Sequence, residues 1–386
     1  MKILLATESY WPNVDGGSVF EHNLVLFMIK QGHEVYIIAP SQTGKYFVEE
    51  DQGSKIFRMP STTFFKRFQS SNIPLRRVAK IIQEIKPDVV HIHNPFFIGF
   101  AARKTAKKMG IPIIATNHNM PENLTLQFAW LKPAEKFLTW SFWKYFIWFY
   151  NGCNFVTSPT QTAVNMLLNH GLKAPNKPIS NGIDLDKFYP EDRKKCVLDK
   201  KILLPHDRPI VMYAGRLDGE KRMDIWVKAI PLILKEVKAH FVIGGSGLAK
   251  KPLQNMVARM KLKNQVTFPG FIEEKEFPHL YHLGDLFAIS SPAELQSLVT
   301  LEALASGLPI VVANAAALPE LVEEGKDGYT FKVNNPRDMA DKVVTILKDE
   351  KLRKSMAKYS REFVKRHDYH KSFKEYENVY KSLINR

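Results

Sequence analysis

Short apolar stretches and segments with a helical repeat of apolar positions alternate along the chain. In the first half, apolar stretches lie at 2–7, 34–40, 88–93, 111–117 and 153–159, with helical patterns near 18–31 and 96–109. The second half repeats the series, with apolar stretches at 209–216, 240–245, 265–270, 286–291 and 308–314. Strand–helix–strand repetition is typical of parallel sheets covered by helices on both faces. We therefore predict an α/β protein with two doubly wound domains.

The chain has 386 residues, enough for two domains of ordinary size, and its charge is unevenly spread. The formal net charge is +16, and residues 51–150 supply +10 of it, from 15 Lys or Arg against 5 Asp or Glu. A field of this sign attracts nucleic acid, anionic lipid or phosphorylated substrates, although a solvated basic surface without a partner has the same composition.

Three other sequence features limit the class of protein. Cys153 and Cys196 give neither a metal-binding spacing nor a disulfide framework, and two cysteines fit a reducing compartment. The segment MKILLATESY reads as a first strand rather than as a signal peptide. No stretch approaches the roughly 20 apolar residues that span a bilayer. We expect a cytoplasmic protein.

Ligands of open α/β sheets bind beyond the carboxyl ends of the strands, and several loops there carry suggestive residues. Gly16 and Gly17 precede a helix, where the backbone can approach an anion closely. Arg216 and Lys221 follow the first strand of the second half and can bind phosphate oxygens. Gly245 lies in a glycine cluster after the next strand. Each loop also admits a purely structural interpretation, and none has the GxGxxG pattern of a dinucleotide site.

The segment ELQSLVTLEALASGLP, which begins at Glu294, carries two carboxylates in apolar surroundings. We predict that Ser297 caps the N-terminus of a helix, that Gly307 follows its C-terminus and that Pro309 prevents continuation. Glu294 then lies on the approach loop and Glu302 on the second helical turn.

The start of this predicted helix favours an anion, because the amides of Ser297, Leu298 and Val299 point outward with the helix dipole behind them. Two carboxylates beside a diphosphate would repel it, so we expect them to accept hydrogen bonds from hydroxyls on either side. A ligand with hydroxyls at both ends of a diphosphate is a sugar nucleotide. The alternative is two surface glutamates on an amphipathic helix.

The chain resembles the retaining glycosyltransferases of the fourth sequence family, which have the GT-B fold. The resemblance covers nearly the whole chain in the family's order and rests on YWPNVDGG (10–17), DVVHIHNP (88–95), ATNHNMPENL (115–124), SNGID (180–184), YAGRLDGEKRMD (213–224), VIGGSG (242–247), FPGFI (268–272), SPAELQSLVTLEALASGLPIV (291–311) and ALPELVEEGKDGY (317–329).

The resemblance implies two doubly wound Rossmann-like domains that face each other across a cleft. We accordingly predict an acceptor-binding domain at 1–185 plus 368–386, to which the C-terminal helix returns, and a nucleotide-sugar-binding domain at 186–367. Catalysis is expected in the cleft.

Residue roles follow from the resemblance position by position. Glu294 is placed on the donor hexose and His118 on a sugar hydroxyl, O6, so these two are the catalytic candidates. Glu302 is placed on the ribose and Ile272 beside the base. Arg216, Lys221, Gly17 and the amides of Leu298 and Val299 are placed on the diphosphate. The other candidates for substrate binding are Gly16, Gly245 and Ser297, to which the resemblance gives no particular part of the donor.

The chain departs from the family pattern at two places. It has ELQSLV where the family often has EGFGLV, so Ser297 is free to contribute its own hydroxyl, and 314–317 replaces a turn that usually bears glycine. Asp184-Leu185-Asp186 looks like a metal-binding DxD, but it lies in the motif that links the domains. We expect no metal and no cofactor, because the basic side chains neutralise the leaving diphosphate of a UDP- or GDP-sugar donor.

The acceptor is predicted from the surface of the first half. The segment 137–152 is unusually aromatic, which suits either a buried helix or an element at the membrane interface. The segment 64–77 combines basic and aromatic residues, and Arg103, Lys104, Lys107 and Lys108 crowd one predicted helix. We therefore favour a lipid or lipid-linked acceptor at an anionic membrane surface, with the protein peripheral at the inner face of the cell membrane.

Other functions remain open from the sequence. Transfer to a soluble sugar or sugar alcohol needs no membrane surface, and an epimerase or phosphorylase can share the GT-B fold. A nucleic-acid-binding protein would use the basic first half, but no recognisable nucleic-acid module is present and the phosphate-binding residues of the second half would be unexplained. We therefore expect no nucleic-acid partner.

Overall fold

The computed structural model describes residues 1–13, 15–64, 68–71, 75–122, 135–270 and 272–385. The chain forms two compact units. Unit 1 comprises Met1–Gly182 together with His370–Arg386, and unit 2 comprises Ile183–Tyr369. Each unit has its own sheet and its own core. The predicted architecture of two Rossmann-like α/β domains is confirmed.

Unit 1 contains an eight-stranded sheet with the order β10-β9-β8-β7-β1-β2-β4-β3, parallel except at the edge, where β3 runs antiparallel to β4. A separate antiparallel pair, β5 and β6, adds two short strands. The strands are β1 (Lys2–Ala6), β2 (Glu34–Pro40), β3 (Phe47–Asp51), β4 (Ser54–Met59), β5 (Ser61–Phe64), β6 (Phe68–Ser71), β7 (Val89–Ile92), β8 (Ile113–Thr116), β9 (Phe155–Ser158) and β10 (Asn176–Pro178).

The helices of unit 1 cover both faces of this sheet, as its almost fully buried central strands require. They are α1 (Gly16–Lys30), α2 (Leu75–Ile85), α3 (Phe97–Met109), α4 (Glu135–Tyr150), α5 (Gln161–Asn169) and the C-terminal helix Tyr369–Ile384. The C-terminal helix buries Phe373, Tyr376 and Tyr380. Phe373 packs edge-on against Phe20 of α1, and the Tyr380 hydroxyl lies 2.7 Å from Nδ1 of His91 on β7.

Unit 2 contains a six-stranded parallel sheet with the order β13-β12-β11-β14-β15-β16. Its strands are β11 (Ile210–Ala214), β12 (His240–Gly244), β13 (Val266–Thr267), β14 (Leu286–Ile289), β15 (Ile310–Ala313) and β16 (Gly328–Phe331). The helices are α6 (Val197–Ile202), α7 (Met223–Leu234), α8 (Lys250–Arg259), α9 (Phe277–Tyr281), α10 (Leu298–Ala305), α11 (Pro336–Lys348) and α12 (Glu350–Val364).

The strand order in each sheet reverses beside its first strand. In unit 1, β1 lies between β2 and β7, and in unit 2, β11 lies between β12 and β14. At such a point, the chain segments that follow the two neighbouring strands run in opposite directions along the sheet. This arrangement leaves a crevice beyond the carboxyl ends of the strands. The loops that the sequence singled out begin at these two places.

Ten apolar stretches were predicted as strands, and each contains one. The stretch 265–270 contributes only Val266–Thr267. The pattern missed β3 to β6, β10 and β16, which have no continuous apolar run in the sequence. No helix in the described part of the chain combines the length and apolar character needed to cross a membrane.

Candidate functional site

The crevice of unit 2 begins at a close contact between two backbone turns. Gly215 follows β11 with φ +141°, and Gly245 follows β12 with φ +133°. A Cβ on Gly245 would lie 1.9 Å from the carbonyl oxygen of Gly215. Gly245 is therefore needed for this backbone approach, and its substitution would displace the loop that carries Arg216. The sequence predicted a substrate contact for Gly245, and that role stays a prediction.

Arg216 is held by acidic neighbours rather than extended into solvent. Its guanidinium donates to Asp218 at 2.8 Å and to Glu220 at 3.1 Å, and its side chain is half exposed. Asp218 is buried and also accepts a hydrogen bond from the amide of Leu248. Two carboxylates thus orient the guanidinium, and sequence reasoning considered neither of them.

Lys221 and Glu294 form an ion pair at the same end of the sheet. Lys221 Nζ lies 2.6 Å from Glu294 Oε1, and both side chains are largely buried. Lys221 ends a short 3₁₀ turn, Gly219–Lys221. The hydroxyl of Ser290, which follows β14, donates to the carbonyl oxygens of Lys221 and Arg222. The fold therefore brings together a cation predicted for the diphosphate and a carboxylate predicted for the hexose.

Helix α10 begins where the sequence predicted. Ser297 has extended backbone angles and its hydroxyl accepts a hydrogen bond from the amide of Thr300, so the predicted N-cap is confirmed. Gly307 follows the helix with φ +74°, as predicted for a C′ residue. The amides of Leu298 and Val299 belong to the first turn, where a helix offers no internal acceptors. They are available to an anion.

Glu302 lies on the second turn of α10, as predicted, and its environment is apolar. The fully buried Tyr281 of α9 donates a short hydrogen bond from its hydroxyl to Glu302 Oε2. Burial raises the pKa of Glu302 to about 7, and the bond from Tyr281 opposes this shift only in part. A carboxyl with this pKa changes charge near neutrality. Tyr281 was not predicted from the sequence.

The turn at 314–317 contacts the backbone of Glu294. The amide of Ala317 donates to the carbonyl oxygen of Glu294 at 3.1 Å. Ala316 adopts φ +46°, a left-handed conformation that costs residues other than glycine roughly 1–2 kcal/mol. Ala316 thus adopts a backbone conformation that glycine adopts without steric cost. Ile272, the residue predicted beside the base, is partly buried against the core of unit 2.

In unit 1 the glycine pair opens helix α1. Asp15 caps this helix, since its carboxylate accepts from the amide of Ser18 at 3.0 Å and from the hydroxyls of Ser9 and Ser18. A Cβ on Gly17 would lie 3.2 Å from the Asp15 carboxylate, and its φ is not positive. Gly16 and Gly17 therefore serve a compact helix start, and their contact with a diphosphate stays a prediction.

His118 lies in a buried cluster at the carboxyl ends of β7 and β8. Its Nε2 is 3.3 Å from Nδ1 of His93, which is 3.8 Å from the carboxylate of Glu21 on α1. Burial lowers the pKa of His118 to about 4 and lowers the pKa of His93 well below its usual value. Burial also raises the pKa of Glu21 well above its usual range. The imidazole of His118 is therefore neutral at pH 7. The ligand atoms of the cluster all lie within 4.8 Å of one another.

Helix α4 has one buried and one exposed aromatic face, so the sequence-based alternative of a helix buried all round is wrong. Trp143 is buried and its ring stacks on His170, whereas Phe137, Trp140 and Trp148 are 66%, 57% and 52% exposed. Lys66 and Arg67, which belong to the basic and aromatic segment 64–77, lie outside the described residues.

The basic residues of α3 differ in what they contact. Lys104, Lys107 and Lys108 are exposed. Arg103 instead stacks on Trp148 at 4.2 Å and donates to the carbonyl of Phe149, which joins α3 to α4. Three of the four predicted basic residues therefore face solvent, and the fourth has a structural role.

Comparison with known proteins agrees with this architecture. The family described as Glycosyltransferase Family 4 matches residues 14–187, and Glycosyl transferases group 1 matches residues 195–363. The fold and the two matches define a two-domain glycosyltransferase. The chain belongs to the GT-B glycosyltransferases of family 4, and the resemblance seen in its motifs is confirmed.

The individual relatives share about a quarter of their residues with this chain. Sulfoquinovosyl transferase SQD2 of Arabidopsis thaliana is 26% identical over 90% of this chain, which spans 66% of that relative's length. Alpha-monoglucosyldiacylglycerol synthase of Streptococcus pneumoniae is 27% identical over 86% of this chain and 75% of its own. Among solved structures, Anabaena HepE in complex with UDP-glucose has a TM-score of 0.79 at 17% identity, over 99% of this chain and 100% of its own. That likeness shows the fold alone.

Proposed function

We propose that this glycosyltransferase moves a hexose from a nucleoside-diphosphate sugar to a lipid or lipid-linked acceptor at a membrane surface, with retention of the anomeric configuration. The observation that supports binding of a nucleoside-diphosphate sugar is the ion pair of Lys221 and Glu294 near the N-terminus of α10. The pair lies beside the first-turn amides of α10, and this grouping supports a cation for phosphate and a carboxylate for hydroxyls at one end of the sheet.

The diphosphate would bind cationic side chains that form ion pairs with carboxylates of the protein when no donor is bound. A diphosphate oxygen can accept from Lys221 Nζ and from the amides of Leu298 and Val299. Arg216, already oriented by Asp218 and Glu220, supplies a second cation. Negative charge grows on the diphosphate as the sugar–phosphate bond breaks, so these groups stabilise the transition state more than the bound donor.

The two glutamates would hold the two ends of the donor. Glu294 accepts hydrogen bonds from hexose hydroxyls once Lys221 turns to the phosphate. Glu302 accepts from a ribose hydroxyl, with Tyr281 fixing its other oxygen. Ile272 offers an apolar surface to the base. Glu294 therefore contributes to transfer of the sugar, whereas Glu302 contributes equally to binding of donor and of free nucleoside diphosphate.

His118 would contact a hydroxyl of the hexose as a neutral imidazole. Its pKa of about 4 leaves one ring nitrogen to accept and one to donate at pH 7. The departing phosphate oxygen takes the acceptor's proton as the acceptor attacks from the face that the leaving group vacates. This proton transfer requires no side-chain base, and attack on that same face accounts for retention.

The acceptor is proposed from the surface of unit 1 and from the relatives. Exposed Phe137, Trp140 and Trp148 on α4 provide the aromatic side chains that favour the lipid headgroup boundary. Exposed lysines on α3 provide positive charge for anionic lipid. The Streptococcus relative is named as a synthase of alpha-monoglucosyldiacylglycerol, which is a glycolipid. We place the protein at the cytoplasmic face of the cell membrane.

Vesicle co-sedimentation tests this placement. The wild-type protein should bind vesicles that contain anionic lipid, bind neutral vesicles weakly and dissociate as salt rises. Changing Lys104, Lys107 and Lys108 together to Gln should weaken binding by up to about 3 kcal/mol, because each basic residue near the surface contributes about 1 kcal/mol.

A matched control removes the same charge elsewhere. Lys235, Lys251 and Lys263 are exposed lysines of unit 2, and their triple change to Gln should reduce vesicle binding much less. Equal losses for the two triple variants would show that net charge alone drives binding. A wild-type protein that ignores anionic vesicles at low salt would favour a soluble sugar or polyol as the acceptor.

A further inference from the structure

A second cluster of histidine and carboxylate side chains lies in unit 2, away from the ion pair of Lys221 and Glu294. His279 belongs to α9, and His282 is the first residue after this helix. Glu191 lies in the segment before α6. Their ligand atoms all lie within 4.8 Å of one another. His282 Nδ1 is 3.2 Å from Glu191 Oε2 and 3.4 Å from His279 Nδ1.

The hydrogen bonding of His282 fixes where its lone pair points. Its Nε2 lies 2.8 Å from the carbonyl oxygen of Tyr189, an acceptor, so Nε2 carries the hydrogen. In the neutral ring, Nδ1 then presents a lone pair directly to the carboxylate of Glu191. Two acceptors at 3.2 Å repel each other unless a proton or a cation lies between them.

We propose that Glu191, His279 and His282 form a binding site for a divalent transition-metal ion, with zinc as the fitting ion. Two imidazole nitrogens and one carboxylate oxygen are established zinc ligands. In a tetrahedral site with metal–ligand bonds of about 2.0–2.1 Å, ligand atoms are about 3.3–3.4 Å apart. The distances of 3.2 and 3.4 Å around His282 Nδ1 match this spacing.

The surroundings of His282 also suit a metal ligand. Histidines that bind metals usually donate their other ring hydrogen to a carboxylate or a backbone carbonyl, which fixes the tautomer. The bond to Tyr189 does this for the buried His282. Glu191 and His279 are partly exposed, so an ion can enter and a water can complete the coordination.

A bound ion would restrain α9, the helix that contacts Glu302, which is the residue proposed to bind the ribose of the donor. Tyr281, which donates to Glu302, lies on α9 between the two histidines. A metal that ties α9 to the Tyr189–Glu191 segment restrains the helix that carries Tyr281. We infer a structural role, in which the ion takes no part in sugar transfer. This role for Tyr281 rests on the proposed function, whereas metal binding itself does not.

Cobalt and zinc titrations of the metal-free full-length protein test the proposal. Cobalt(II) should give the intense visible absorption of a tetrahedral complex, and zinc should displace it with a stoichiometry of one. The variant His279→Ala should weaken zinc binding by at least about 100-fold, since even changes outside the ligand shell cost 10–100-fold. Zinc at 100 times its dissociation constant should raise the melting temperature of the wild type by about 5–10 °C.

Two further variants separate this site from other zinc-binding groups. His206→Ala removes an exposed imidazole of the same unit and should leave the cobalt spectrum unchanged. Glu191→Gln keeps the size of the side chain, removes its charge and should weaken binding by at least about 10-fold. Absence of a tetrahedral cobalt spectrum would mean that a proton alone bridges the pair and would overturn the proposal. Zinc binding that survives His279→Ala would place the ion elsewhere, for example at His93 and His118.

Discussion

Replacing Glu302 with Gln should make unit 2 more stable at alkaline pH. Burial raises the pKa of Glu302 to about 7 in the folded chain, from an ordinary value of 4.5. A carboxyl with a raised folded pKa holds its proton more tightly when the chain is folded. Its contribution to stability is therefore fully present below pH 4.5 and is lost as the pH rises through 7. The amide of Gln does not titrate, yet its oxygen can still accept from Tyr281.

The size of the effect follows from the difference of about 2.5 pH units between the two states. At about 1.4 kcal/mol per unit, the titration of Glu302 lowers the free energy of unfolding, relative to acid pH where both states are protonated, by about 3 kcal/mol at pH 8 and by about 1 kcal/mol at pH 5. The free energy of unfolding of the wild type, measured with urea, should fall by about 2 kcal/mol more than that of Glu302→Gln between these pH values.

The control for this experiment is Glu320→Gln, which removes a carboxylate of the same unit that lies on a surface 3₁₀ turn. It should change the stability difference between pH 5 and pH 8 little. Parallel pH dependence in the wild type and in Glu302→Gln would refute the reasoning, because it would mean that Glu302 has the same pKa folded and unfolded.

Three further outcomes are expected from the geometry of the donor site. Glu302→Ala should weaken binding of free nucleoside diphosphate by roughly 1.5–3 kcal/mol, whereas Glu294→Ala should leave that affinity nearly intact and lower kcat; calorimetry that finds equal losses would contradict the division between ribose and hexose. Ala316→Gly should raise the free energy of unfolding by about 0.5–1 kcal/mol because it relieves a left-handed backbone, and a destabilised variant would show that the turn is not strained. Turnover should not require magnesium or manganese, since Arg216 and Lys221 neutralise the leaving group; recovery of turnover by added magnesium after chelation would mean that these two side chains do not suffice.

The parts of the site that the sequence predicted are those with local causes. Ser297 could be assigned as an N-cap because a polar residue before an apolar helical run has few other functions there. The left-handed Gly307 could be assigned for a similar reason, since glycine adopts this conformation without steric cost. The pairing of Arg216 with Asp218 and Glu220 lies within four residues, but the sequence-based interpretation of this loop did not include the two carboxylates.

The parts that were missed depend on contacts between distant segments. Tyr281 reaches Glu302 across 21 residues, and no periodicity relates their positions. His93 and His118 meet because β7 and β8 are neighbours in the sheet, an order that apolar stretches do not specify. The segment 314–317 was noted only as a departure from a glycine-bearing turn, and the left-handed backbone of Ala316 was not predicted because alanine is typical of helices.

Transfer of a labelled hexose into lipid tests the central claim most directly. The purified protein would be incubated with a panel of labelled UDP- and GDP-hexoses and with vesicles that contain anionic lipid and diacylglycerol. We predict that label from one donor enters the organic phase in an α-linked glycolipid, and that Glu294→Ala reduces this transfer strongly. Label that enters only a water-soluble acceptor, or a β-linked lipid product, would contradict the account.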